Sequence, residues 1–163
     1  MLTKLTTVVA FFAATLFLIS CDVKTPEGTD TIVVEEGAML EKAQDEAYQG
    51  VMKVHDEVMP KMGELNRLKR EVEEKLADNS LSASTKQAGQ QIVSQLENAG
   101  EGMMGWMSNL KKPADMRADM DNDAIMSYLS AQQGEISKVS TDITVVIREA
   151  KNFLSSLTEV TGS

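Results

Sequence analysis

A run of apolar residues spaced three and four positions apart extends from Ala38 to Ala77 and constrains the fold of this chain more than any other feature. Such spacing predicts a long amphipathic helix over about residues 38–78, with a nearly heptad apolar stripe. Pro60 lies inside the run and lacks a backbone donor, but the stripe continues in phase beyond it. We therefore expect a kink at Pro60 and no helix end there. The stripe comprises Leu40, Ala43, Ala47, Val51, Val54, Val58, Met62, Leu65, Leu68, Val72 and Leu76.

Two further stretches carry apolar stripes of the same kind. One predicts a helix over about residues 82–111, which Pro113 stops. The other follows a polar connection rich in aspartate and predicts a helix over about residues 123–158. Three long stripes, each needing a partner, predict an all-α fold: an antiparallel three-helix bundle within residues 38–163. The candidate caps of the third helix are Asp121, Asn122 and Asp123.

The composition agrees with an all-α fold and excludes several classes of protein. Aromatic residues make up only 4% of the chain, and there are only three prolines, so a β-sandwich, a barrel or a doubly wound sheet is disfavoured. The chain has one Cys and one His. These counts exclude a disulfide framework, a Cys/His zinc module and an internal CxxC redox pair.

The first twenty-one residues have the pattern of a lipoprotein leader. Lys4 is followed by an uninterrupted apolar run over residues 8–19, which is too short for a stable membrane span but suits a signal peptide. The run ends in Leu18-Ile19-Ser20-Cys21, which resembles a bacterial lipobox. We expect residues 1–20 to be a cleaved signal peptide and Cys21 to be the lipidation site, so that the only cofactor is the covalent lipid. The alternative is an ordinary secretory signal with a chance Cys at its end.

Residues 21–37 are expected to form the lipidated N-terminus and an extended or disordered tether, because they contain one proline and two glycines and show no helical period. A lipid anchor of this kind predicts the cell envelope as the location, with the periplasmic side of the outer membrane favoured over the inner membrane. The full chain has a formal net charge of −9, and loss of Lys4 with the signal peptide makes it one unit more negative. This charge argues against nucleic acid or an anionic lipid surface as the partner.

Antiparallel geometry predicts one unusual layer at mid-height of the bundle. If the connections are symmetric turns, His55 lies level with the Met-rich segment around Gly105 and with Tyr128 on the third helix. The only His, the only Trp and one of the two Tyr would then share a level. The residues of this predicted layer are His55, Met59, Met62, Met103, Trp106, Met107 and Tyr128.

Two interpretations of this layer remain open. In the first, His55, Met59, Met62, Met103 and Met107 form a soft-metal site for Cu(I) or Ag(I), which Trp106 covers with its ring face. In the second, Met side chains and an aromatic layer of Trp106 and Tyr128 fill the core, and His55 is hydrogen-bonded to Tyr128 or to a backbone carbonyl. The second interpretation is favoured because Met commonly fills gaps in helical cores.

Three other motifs carry no support for a function. Residues 100–105 match G-x-G-x-x-G, but no strand precedes them, and their glycines either allow close helix packing or mark a weak turn. Asp119, Asp121 and Asp123 imitate the start of a calcium loop, yet Ala124 replaces its glycine and Ser130 its terminal glutamate. A single His without a recognisable serine motif makes no case for a catalytic triad.

Several segments carry a likeness to a known group of proteins: His55 to Met62, Leu65 to Lys69, Met103-Met104-x-Trp106-Met107, and Tyr128-Leu129-x-x-Gln132 with Ile136-x-Lys138-Val139. From about Ala47 to Leu154 the chain resembles small lipoproteins of Bacteroidota-type bacteria, some of which bear the label "viral A-type inclusion protein". The resemblance implies a lipid-anchored helical bundle. It implies no activity and no functional residue.

These observations together predict a non-enzymatic envelope lipoprotein that acts as a helical spacer or a protein-interaction module. Its expected partners are the membrane, through the lipid on Cys21, and an envelope protein of unknown identity. The alternative is a soft-metal binding protein that uses the His/Met cluster. An enzyme is disfavoured because no pair of the 25 acidic residues lies in an identifiable pocket.

Overall fold

A computed structural model of the protein describes the backbone of residues 29–161 and the side chains of residues 35–158. This part of the chain consists of α-helices and contains no strand, so the all-α prediction is confirmed. None of its helices has the length and apolar character of a membrane span. The predicted signal peptide, Cys21 and the start of the tether lie outside the described residues. The helices are α1 (Thr29–Val58), α2 (Lys61–Leu76), α3 (Ala83–Asn109), α4 (Pro113–Met116) and α5 (Asn122–Thr161).

The predicted first helix is divided in two at Pro60, where we had expected only a kink. α1 ends at Val58 and α2 begins at Lys61. Pro60 has helical dihedral angles, φ −59° and ψ −25°, but lacks the N–H that a continuous helix needs. The break is short, so the core positions stay in step across it. The buried positions recur every seven residues, at Gln44, Val51, Val58, Leu65 and Val72.

The first helix also begins earlier than predicted. Residues 29–37, which were assigned to the tether, form the first part of α1. Glu35 and Glu36 are strong helix formers, and a glycine inside a helix costs only about 1 kcal/mol relative to alanine. Gly37 therefore does not stop the helix.

α3 is continuous through Gly100, Gly102 and Gly105, which resolves the question left open at residues 100–105. It begins after Ser82, whose hydroxyl accepts a hydrogen bond from the Thr85 N–H at 3.1 Å. Gly100 lies against Leu65, since a Cβ at Gly100 would be 3.6 Å from Leu65 Cδ2. This distance is an ordinary van der Waals contact, and a Cβ at Gly105 would meet nothing within 4 Å, so these glycines mark neither a turn nor an unusually close approach of helices.

The cap of α5 is Asp121, one of the three candidates. Its carboxylate Oδ1 accepts a hydrogen bond from the Ala124 N–H at 2.8 Å. This bond satisfies one of the donors that every helix leaves free at its N-terminus. The aspartate that imitates a calcium ligand is therefore occupied as a helix cap.

We expect Asp121→Ala to lower the free energy of unfolding by about 1 kcal/mol, because it removes this cap. Urea unfolding followed by circular dichroism measures the change. Asp119→Ala is the matched control, since Asp119 is an exposed aspartate in the same connection and the substitution removes the same charge. The control should shift the free energy of unfolding by less than about 0.5 kcal/mol. Equal losses in the two variants would contradict the capping role.

Ion pairs between helices show how the elements run relative to one another. Lys69 pairs with Glu97, and Leu76 lies next to Gly89, so α2 and α3 run in opposite directions. Lys151 donates a hydrogen bond to Glu64 at 2.7 Å, and this bond is the main reason why the pKa of Glu64 lies below its ordinary value. The hydrogen bond to Glu97 likewise raises the pKa of Lys69.

Two apolar clusters form the core. The larger one joins α1, α2, α3 and α5 and includes Val51, Val58, Leu65 and Val72 of the row described above. The smaller one contains Met116, Ile125 and Leu129, with Tyr48 and Tyr128 packed against it. Met116 belongs to α4, in the connection that the sequence predicts to be polar. Pro113 starts a helical turn in this aspartate-rich segment, and Met116 in that turn is 3% exposed.

Candidate functional site

His55 and Trp106 lie against each other, as the antiparallel arrangement predicts. Their ring centroids are 5.7 Å apart, and the ring planes are inclined by 30°. His55 lies in the last turn of α1, directly before the break at Pro60, and Trp106 lies near the end of α3. Trp106 is 6% exposed and belongs to the larger core cluster. The contact therefore joins the end of α1 to the core side of α3.

The hydrogen bonding of these rings is incomplete. His55 Nδ1 lies 2.9 Å from Asp56 Oδ1. Because an ionised carboxylate only accepts, Nδ1 carries a hydrogen, and in the neutral imidazole Nε2 then presents a lone pair. His55 Nε2 and Trp106 Nε1 are both buried and have no hydrogen-bond partner. Buried polar atoms in proteins are nearly always paired, so these two mark the site as unusual.

Tyr128 does not belong to this layer. Its hydroxyl accepts a hydrogen bond from the Lys111 N–H at 2.8 Å and donates one to the Asn109 carbonyl at 3.2 Å. The predicted bond between His55 and Tyr128 is therefore wrong, and Tyr128 lies beyond Trp106, at the end of α3. The prediction assumed a symmetric turn between the second and third helices. The connection instead contains α4, which displaces α5 along α3.

The methionines predicted to join His55 are divided among different places. Met103 is fully buried in the larger core cluster, and Met59 is half-buried against the same cluster. Met62 lies beyond the Pro60 break and lines a separate groove with Gly100 and Met104. Of the five predicted ligands, only His55 and Met107 line the same cavity.

That cavity has a volume of about 250 Å³ and is bordered by α1 and the end of α3. Four of its residues were not predicted to belong to the site. Two of them, Leu110 and Lys112, follow Met107 in the chain, and the other two are Tyr48 and Met52. Both precede His55 on α1 by helical spacings, which place them on one face of the helix. The helical spacing of Tyr48, Met52 and His55 in the sequence could therefore have indicated that Tyr48 and Met52 lie near His55. The lining consists of Tyr48, Met52, His55, Trp106, Met107, Leu110 and Lys112.

A polar cluster nearer the start of α1 was also missed. Gln44 is only 4% exposed, and its amide donates to Asn122 Oδ1 at 3.1 Å. Arg117 Nε donates to Gln44 Oε1 at 2.8 Å, and Arg117 Nη2 donates to Asp45 Oδ1 at 2.6 Å. These bonds attach α1 to the connection before α5. The available signal was the seven-residue spacing from Gln44 to Val51, which puts a polar side chain at a core position.

The site can bind through an imidazole, an indole and thioethers. Among the residues that the structure describes, no three His, Cys, Asp or Glu side chains are grouped closely enough to hold a metal ion. The G-x-G-x-x-G match lies inside α3, where backbone N–H groups are used in the helix. Comparisons of the chain with protein-family models, curated proteins and solved structures found no match.

Proposed function

We propose that this protein is a non-enzymatic lipoprotein of the bacterial cell envelope, anchored through lipid on Cys21. In this proposal its antiparallel three-helix bundle is a spacer or a protein-interaction module. The resemblance to small lipoproteins of Bacteroidota-type bacteria supports the same assignment. The periplasmic side of the outer membrane is the proposed location, and an envelope protein is the proposed partner.

One observation carries the interaction role: two neighbouring apolar side chains in the first half of α1 are exposed. Met39 is 72% exposed and Leu40 is 39% exposed, although Leu40 belongs to the predicted apolar stripe. The first side chain of α1 buried in the bundle is Gln44, among the residues whose side chains are described. Exposed apolar residues grouped on one segment are typical of protein contacts.

The dimensions of the helices support the spacer role. α1 has 30 residues and α5 has 40. At about 1.5 Å per residue, these lengths correspond to about 45 Å and about 60 Å. A rod of this length, attached at Cys21 near the start of α1, would hold a bound partner well away from the lipid surface.

Replacing Cys21 by alanine tests the anchor. We expect Cys21→Ala to abolish labelling with a radioactive fatty acid and to leave precursor or soluble protein, because the thiol is the only acceptor of the lipid. Ser20→Ala is the control, since it keeps a small residue before the Cys and should retain labelling. Fractionation of the cells gives a second readout. Undiminished fatty-acid labelling of Cys21→Ala would overturn the proposal.

A further inference from the structure

We propose that the cavity between α1 and the end of α3 binds one soft monovalent metal ion, Cu(I) or Ag(I). The proposed ligands are His55 Nε2 and the thioether sulfurs of Met52 and Met107, and these three residues line the same cavity of about 250 Å³. This ligand set differs from the predicted one, because it contains Met52 and leaves out Met59, Met62 and Met103. It is independent of the lipid anchor and of any protein partner.

The first argument is the state of the His55 ring. Asp56 holds the hydrogen on Nδ1, so the lone pair of the neutral ring is on Nε2. That atom is buried and has no partner within the protein. Histidines that bind metal ions usually donate their other N–H to a carboxylate, which fixes the tautomer and the direction of the lone pair. The pair of His55 and Asp56 has this arrangement.

The second argument is the chemistry of the neighbouring side chains. Thioether sulfur is a soft ligand that selects Cu(I) and related ions over Mg²⁺ or Ca²⁺. Met52 precedes His55 by three residues on α1, so both side chains lie on one face. Met107 reaches the cavity from α3 and is 39% exposed, so it can move toward an ion without leaving a void in the core.

The third argument concerns charge. Trp106 stacks on His55, and the face of an indole ring attracts a cation within about 6 Å. The carboxylate of Asp56 adds a negative charge next to the imidazole. Lys112 also lines the cavity and opposes a cation, but this residue is exposed and its long side chain can turn toward solvent.

Titration of the full chain with silver(I) nitrate tests the proposal. Cys21→Ser is used as the background, because it removes the only thiol that would compete for silver. Trp106 is the only tryptophan, so its fluorescence reports directly on the site. We expect quenching that saturates at one equivalent of silver. In the ¹³C spectrum of methyl-labelled methionine, the signals of Met52 and Met107 should shift.

Substitutions then identify the ligands. Met52→Leu and Met107→Leu each remove a thioether with little change in volume, and His55→Gln removes the imidazole. We expect each substitution to weaken silver binding by at least about 10- to 100-fold, which is the loss typical when a residue that supports a metal ligand is replaced. Asp56→Asn, which alters a positioning residue, should weaken binding by about 10- to 100-fold and change the ¹⁵N shifts of the His55 ring. Met62→Leu and Met103→Leu are the matched controls and should leave the affinity unchanged.

Two results would overturn the proposal. One is the absence of saturable binding at one equivalent of silver. The other is an equal affinity for silver in Met107→Leu and Met62→Leu. The Met107 variant keeps the test decisive even if His55→Gln fails to fold, because Met107 is an exposed side chain whose replacement by Leu leaves the core intact.

Discussion

Replacing Ile143 by alanine is expected to lower the free energy of unfolding by about 2 to 5 kcal/mol. Ile143 is completely buried in the larger core cluster, on the same seven-residue row of α5 as Ile136 and Ala150. Truncation removes buried methyl and methylene groups and leaves a cavity that the surrounding helices fill only in part. Leu129→Ala should cost a similar amount in the smaller cluster, where Leu129 is 1% exposed.

Urea unfolding of the full chain, followed by circular dichroism, measures these losses. Leu40→Ala is the matched control, because Leu40 is an apolar residue of the predicted stripe that the structure leaves exposed. Its effect should be within about 0.5 kcal/mol. A loss below that value at both Ile143 and Leu129 would contradict the arrangement of the core, as would an equally large loss at Leu40.

Replacing Gly89 by alanine is expected to destabilise the protein, although alanine is the better helix former. A Cβ at Gly89 would lie 2.6 Å from Leu76 Cδ2 and 2.8 Å from Phe153 Cζ, which is too close for either atom to stay in place. The substitution gains up to about 1 kcal/mol from helix propensity. Overpacking a well-filled contact costs about 1 to 3 kcal/mol. We expect a net loss of up to about 2 kcal/mol, because Leu76 and the Phe153 ring must both move.

Gly134→Ala is the control with the opposite sign. Gly134 lies inside α5, and a Cβ there would meet no atom within 4 Å, apart from its own helix. Only the gain in helix propensity remains, so stability should rise by up to about 1 kcal/mol. Thermal and urea unfolding of the two variants compare the same chemical change at a crowded and an open helix position. A gain in stability at both positions would contradict the close contact of Gly89 with the Leu76 and Phe153 side chains.

Gly89 also shows what limits the packing of this molecule. Residues of three helices meet there, Leu76 from α2, Gly89 from α3 and Phe153 from α5.

At the other end of the bundle, Arg117 and Gln44 attach α1 to the connection before α5. Residues 38–43 of α1, which precede this polar cluster, are exposed. A partner that binds near Met39 would therefore contact a part of α1 that lies before its attachment to Arg117.

Much of the fold could be predicted from the sequence because helices are local. The spacing of Val51, Val58, Leu65 and Val72 requires only the helical repeat, and it identified buried positions on both sides of Pro60. The division at Pro60 was not predicted, because continuity of an apolar stripe does not supply the backbone donor that proline lacks. The early start at Thr29 was missed because Gly37 weakens a helical pattern without ending the helix.

The candidate site was predicted less completely, since it depends on how helices are placed along one another. The nearness of His55 and Trp106 followed from the short connection between α2 and α3, which leaves little freedom in register. The position of Tyr128 did not follow, because α4 lies in the longer connection and shifts α5. The roles of Met52 and Met62 depended on which side of each helix faces α3.

By itself the sequence determined that this chain is all-α, which positions along its helices are apolar, and that His55 and Trp106 come close together. These properties follow from the helical period and from one short turn, both of which act between residues near in the chain. Only the tertiary structure decided that Met52 lines the cavity with His55 while Met62 and Tyr128 do not. The physical reason is that the axial shift and rotation of each helix depend on the packing of many side chains that are distant in the sequence. A local sequence pattern does not contain this information.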